Sequence, residues 1–236
     1  MKKKIMISVA AAAVLIGSLG ISGMAETDPI HKLAHLKEKE DTSVEPGEYV
    51  VSKVGNLSKV EENVSADEVM LVGEDILVTE REIDQAKEYY LAQNESDKKA
   101  KQDAVEYMTE FDAMYAEAVK NGYDVTESEV KKYVKKLQED LKSAENYDEV
   151  KVIMSSYDSE QAYWDDMIRV YYKQLPIEKY VKDLESAFQK KCKYSVNTEE
   201  YNNAWDKEFQ KIKDNAVASQ AYSKSTTKKL DEFTEE

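Results

Sequence analysis

The chain has 236 residues, 48 of them acidic and 33 basic, for a formal charge of −15 at neutral pH. That balance excludes a chain that seeks nucleic acid or anionic lipid, and any partner steered by charge would be basic. A single cysteine, Cys192, cannot make an internal disulfide, so the fold must rest on burial, which a chain of this length can supply.

The first element is an export signal. Lys2, Lys3 and Lys4 precede an apolar run from Ile5 to Ile16, and the small-residue site Gly23-Met24-Ala25 follows. This is the order of a secretory signal peptide over residues 1–25. The apolar run is short of the roughly 20 residues that span a bilayer, so cleavage is expected, with retention as an anchor the alternative. Cleavage takes away three lysines and no acid and leaves a charge of −18. No cysteine follows the run, which closes the bacterial lipoprotein route. The expected location is extracytoplasmic, either secreted or at the cell envelope.

Residues 26–65 read as a flexible spacer, rich in charge and interrupted by Pro29, Pro46 and Gly47. His31 and His35 have the i, i+4 spacing of a metal pair, but no third ligand or rigid support accompanies them, and no metal is assigned. The seven glycines and three prolines of the whole chain compare with roughly 16 and 12 at average usage. With the richness in Lys, Glu, Ala and Gln, their scarcity predicts an all-α fold.

Order is expected from about Val69. Val69–Val72 and Ile76–Val78 read as short extended pieces around a Gly73-Glu74-Asp75 turn. Thr79 and Glu82 have the spacing of a capping box, which opens a helix to about Gln93. A second helix is expected from Asp97 to Asn121, with Ala104, Val105, Met108, Phe111, Tyr115, Ala118 and Val119 on one stripe. Glu106, Glu110, Glu117 and Lys120 face away from it. Asn121-Gly122 stops this helix. Thr126 and Glu129 form another capping box, starting a third helix to about Ala144. A short helical piece, Tyr147 to Met154, precedes a helix capped by Asp158 or Ser159, which Pro176 should kink or restart before it ends near Lys191. One more amphipathic stretch carries Tyr201, Trp205, Phe209 and Ile212, and a polar, mobile tail closes the chain.

Catalytic constellations are missing from this pattern. No histidine follows the spacer, which removes Ser-His-Asp and Cys-His arrangements from the folded part, and there is no Gly-rich phosphate loop. Carboxylate pairs such as Glu106 with Glu110 read as a solvated helix face. The chain is therefore expected to be neither an enzyme nor a cofactor carrier. Its sixteen tyrosines say more, since rings such as Tyr171 and Tyr172 fall on different helix faces. Tyrosine offers apolar area and a hydroxyl at low entropy cost, and methionines such as Met108 and Met167 adapt to varied partners. A client-binding cleft lined by Tyr107, Phe111, Tyr115, Tyr163, Trp164, Met167 and Tyr171 is expected.

The order of elements resembles a family. Strand, acidic turn and strand followed by Val78-Thr79-Glu80-Arg81-Glu82-Ile83-Asp84 are similar to the opening of SurA-type and PrsA-type extracytoplasmic chaperones. The run from Ala116 to Val130, with Lys120-Asn121-Gly122 and Val125-Thr126, resembles their helical hairpin. Tyr157 to Trp164 matches a third element, although the family commonly has glycine near Tyr157. The resemblance spans residues 69–190. It implies a SurA N-terminal-like helical domain with a short β-hairpin-like start, which holds unfolded or partly folded exported polypeptides. The some 45 residues after Lys191 lack a parvulin domain's pattern, so isomerase activity is not implied. The resulting division is a signal peptide 1–25, a spacer 26–65, a chaperone domain 66–192, and a C-terminal helix and tail 193–236. The rival expectation is a cell-envelope scaffold that docks one specific partner through its acidic helical faces.

Overall fold

The computed structural model describes residues 69–92, 95–142 and 157–224, together with Tyr147, Lys151, Met154 and Ser155. The expected signal peptide, the spacer with His31 and His35, and most of the piece between Tyr147 and Met154 lie outside the described residues. The described part is predominantly helical, with five helices and a small three-stranded sheet.

Strands β1 (Val69–Val72) and β2 (Leu77–Thr79) pair antiparallel, with Val72 opposite Leu77 and Leu71 opposite Val78. Between them Gly73 N donates to Ile76 O at 2.8 Å, closing the expected turn. Helix α1 (Glu80–Ala92) begins on the expected capping box. Glu82 N donates to Thr79 Oγ1, while Thr79 N and Thr79 Oγ1 both donate to Glu82 Oε2, at 3.0 and 2.7 Å. Helix α2 (Asp97–Lys120) is capped by Ser96, and α3 (Glu127–Leu141) by a complete Thr126/Glu129 box. Ser159 caps α4 (Glu160–Gln189) and Thr198 caps α5 (Glu199–Gln220). Each cap satisfies a backbone donor of a first turn that would otherwise lack a partner, typically worth about 1 kcal/mol.

Among the described residues two main apolar cores result, beside a small cluster of Val69 and Leu77. The larger one surrounds α2, of which fourteen residues are buried; a helix buried on most of its circumference forms the centre of a domain rather than its surface. Met70, Leu71 and Val78 of the sheet, Ile76 of its turn, Ile83 and Tyr90 of α1, Ile177 of α4, and Phe209, Ala216 and Tyr222 pack around it. The smaller core joins α3 to the first half of α4 through Val130, Val134, Leu141, Tyr163, Trp164, Met167, Tyr171 and Leu175. Fully burying one such side chain contributes about 1.5–3 kcal/mol. Helix α4 therefore serves both cores, with Leu175 in the smaller, Ile177 in the larger and Pro176 between them.

Several expectations change. Helix α4 runs through Pro176 to Gln189 without restarting. Glu110 does not face solvent but is buried, because Lys213 of α5 donates to its Oε2 at 2.9 Å. The polar tail is not wholly free: Ser223–Lys224 forms a third strand, β3, beside β1, and the buried Tyr222 donates its hydroxyl to Thr109 O at 3.2 Å. Helix α5 packs into the same core as α2, through Phe209 and Ala216.

Candidate functional site

All seven residues expected to line a cleft are buried, with exposures of 0–5%. They are not one group. Tyr107, Phe111 and Tyr115 belong to the larger core, and Tyr163, Trp164, Met167 and Tyr171 to the smaller. Their apolar, aromatic character was a packing signal. Of the seven, Phe111 lines a small opening among the described residues.

That opening is a small cleft where α1, α2 and α4 converge. Helix α1 contributes Arg81, Glu82 and Gln85, α2 contributes Met108 and Phe111, and α4 contributes Asp166, Arg169, Val170 and Lys173. The enclosed room, about 40 Å³, suits a side-chain end or a water rather than a drug-sized molecule. Its acids are held inward. Glu82 Oε1 accepts from Lys173 Nζ at 2.6 Å, and the same ammonium donates to Asp112 Oδ1 at 2.9 Å. Burial pushes the Glu82 carboxyl up, but the Lys173 charge and the bonds from Lys173 and Thr79 outweigh that and hold it below its usual range. Asp166 accepts from Gln85 Nε2, from Tyr157 Oη at 3.2 Å and from Arg169 at 3.0 Å. Burial, reinforced by the Asp166 charge, pushes the Tyr157 hydroxyl up to about 12, so it remains a donor.

A second surface runs along the antiparallel seam of α3 and α4. The Tyr123 ring lies 5.3 Å from Tyr180, and Tyr133 lies 4.8 Å from Tyr171. Tyr123 Oη donates to Asp183 at 2.8 Å, and Lys179 bridges the seam to Glu129 at 3.2 Å. Tyr133 is 36% exposed, and Tyr123, Tyr172 and Tyr180 are half-buried. Burial raises the hydroxyls of Tyr133, Tyr172 and Tyr180, while the bond to Asp183 raises that of Tyr123. All four are neutral donors at ordinary pH.

The chain matches no protein-family model, no curated protein and no solved structure. What the two surfaces can do therefore rests on their own chemistry. Both offer donors and ring faces, which suits binding. Among the described residues no cluster of three or more His, Cys, Asp or Glu is arranged to hold a metal ion, and no helix is long and apolar enough to cross a membrane.

The cleft was missed because its members come from three helices and no local spacing joins them. One signal was available. The chain has only two arginines, Arg81 and Arg169, and both belong to the cleft.

Proposed function

We propose that this chain is an exported, chaperone-like protein of the SurA/PrsA type that holds extended or partly folded polypeptide and catalyses no reaction. The observation that carries the reading is the row of partly exposed tyrosines on the α3–α4 seam. Such rings give adaptable apolar contact, and their hydroxyls can bond a passing backbone. The order of elements supports the same reading: a strand–turn–strand, a Thr79-capped helix, a hairpin closed on Thr126 and a Ser159-capped long helix. The client surface is thereby moved from the seven buried residues to the seam.

Purified residues 26–236 should suppress aggregation of an unfolded client at stoichiometric ratios. The Tyr123→Ser/Tyr133→Ser variant should fold and suppress less. Absence of suppression, together with absence of peptide binding by titration, would overturn the reading. A single dominant partner in a pull-down from an envelope extract would replace it with a scaffold.

A further inference from the structure

Basic residues are common in this chain, but arginine is not: 31 of the 33 are lysine. Both arginines reach the same cleft from helices 88 residues apart in sequence, beside the apolar floor of Met108, Phe111 and Val170. The two cations differ in what they can grip. A lysine ammonium is a compact, strongly hydrated point charge, whereas a guanidinium is a planar, weakly hydrated fork that matches a carboxylate with two parallel bonds.

The cleft's hydrogen bonding leaves that fork outward. Glu82 is occupied on both oxygens, by Lys173 on one side and Thr79 on the other. Asp166 is likewise occupied, by Gln85, Tyr157 and Arg169. Arg169 gives Asp166 one of its five N–H donors, at 3.0 Å, and its side chain stays 54% exposed. Asp166, itself 9% exposed at its side chain, thus anchors the guanidinium while leaving its other donors directed elsewhere. Arg81 is exposed and has no ion pair among the described residues. The acids are satisfied from within, and the arginines keep donors to offer.

We propose that the cleft between α1, α2 and α4 captures a single carboxylate of a bound polypeptide, through Arg81 and Arg169. The inference rests on the polypeptide-binding reading and names a chemical preference within it. The carboxylate comes from an Asp or Glu side chain or from a chain end. A run of acids is disfavoured, because the adjoining depression, which shares Arg81 and Gln85 with the cleft, is otherwise lined by Glu80, Asp84 and Glu88, and like charges there repel a second anion.

Having two arginines makes the test direct. In ¹H–¹⁵N spectra of residues 26–236 the arginine side chains give two Nε–H resonances, which Arg81→Gln and Arg169→Gln assign by loss. N-acetylphenylalanine, which carries one carboxylate and one ring, should shift both resonances, whereas N-acetylphenylalaninamide should shift neither. Equal effects from the two compounds, or none, would overturn the carboxylate site whatever the outcome of client-holding assays. Peptides then separate the sources. A peptide with a free C-terminus is compared with its amide, and an amidated peptide with one internal Glu is compared with its Gln form. Whichever carboxylate is recognised should bind about tenfold tighter or more than its neutral partner, the order expected for a charge-assisted bond. That gain should vanish in the Arg81→Gln/Arg169→Gln variant, and Arg169→Lys should not restore it. Binding of neutral and acidic peptides alike, unchanged by the arginine variants, would sink this inference and leave the polypeptide-binding reading standing. Failure of every peptide to bind would sink that reading as well.

Discussion

Lys173 on α4 donates to Asp112 on α2 at 2.9 Å, and the aspartate side chain is wholly buried. The same ammonium reaches Glu82 on α1 at 2.6 Å, so one lysine ties three helices together. Removing a partner from a buried ion pair leaves an uncompensated charge and costs about 3–5 kcal/mol, whereas replacing a whole pair by apolar groups is often nearly neutral. Lys173→Met is therefore expected to lose stability in that range by urea denaturation. Asp112→Leu/Lys173→Met should recover most of it, because Glu82 is partly exposed and can be solvated. A double variant no better than the single one would show that the bridge acts through more than charge compensation.

Gly73 is fixed by close approach. A Cβ there would stand 2.9 Å from Gln220 Oε1, 3.0 Å from Ile76 O and 3.0 Å from the Tyr222 ring. The Ile76 carbonyl belongs to the turn itself and cannot move aside as a side-chain tip could. Gln220 cannot easily yield either, since its Oε1 accepts from Asp75 N at 2.9 Å and its backbone oxygen accepts from Glu74 N at 2.8 Å. Gly73→Ala should destabilise by roughly 1–3 kcal/mol, the range for overpacking. Hydrogen exchange should show the loss at the β1–β2 turn and at the end of α5 together. Loss confined to the turn would mean that α5 does not lean on it.

The local parts of this fold were legible and the distant ones were not. Thr79 with Glu82 and Thr126 with Glu129 lie three residues apart, so their capping boxes can be read as spacing and both formed. Asn121-Gly122 closed α2 as its chemistry suggests, with Gly122 at φ 86°. Glu110 looked like a solvated carboxylate because its helix neighbours are polar; its partner, Lys213, is 103 residues away. The same limit hid β3, since two residues after a helix carry no strand pattern until β1 is there to pair with them. The seven residues expected to line a cleft lie on helices as read, but all are buried rather than exposed. Periodicity locates a face, and only the rest of the fold decides whether another element covers it.

The Thr126 box carries a pH dependence. Hydrogen bonds from the Thr126 backbone and hydroxyl, reinforced by Lys179, lower the Glu129 carboxyl from 4.5 to about 2. A depressed folded-state value means that the ionised carboxylate stabilises the fold above the unfolded value. Its contribution is complete above about pH 4.5 and is lost as pH falls toward 2. Wild type should exceed Glu129→Gln in urea midpoint at pH 7, and the difference should shrink steadily between pH 4.5 and pH 2. A difference independent of pH would show that the ionised state contributes nothing at this helix start.

The two cores should unfold as one. Trp164 lies in the smaller core, edge-on to Tyr163 at 4.9 Å. Trp205 packs on the larger core, between Phe188 and Phe209 at 5.4 Å from each. Trp164→Phe and Trp205→Phe therefore leave one indole reporting on each core. Pro176 marks their boundary and removes a helix N–H, which favours separation at that point. Against it stands Lys173, three residues earlier, whose buried bridges to α1 and α2 would have to open if the first half of α4 melted alone. Leaving the buried Asp112 without its cation costs more than the hydrogen bond that Pro176 lacks, so the bridge should decide the outcome. Both single-tryptophan chains are expected to give the same urea midpoint once each is corrected for its own substitution by circular dichroism. Fluorescence transitions that separate from the circular dichroism curve in either chain would show that the α3–α4 core opens independently, with Pro176 as its hinge.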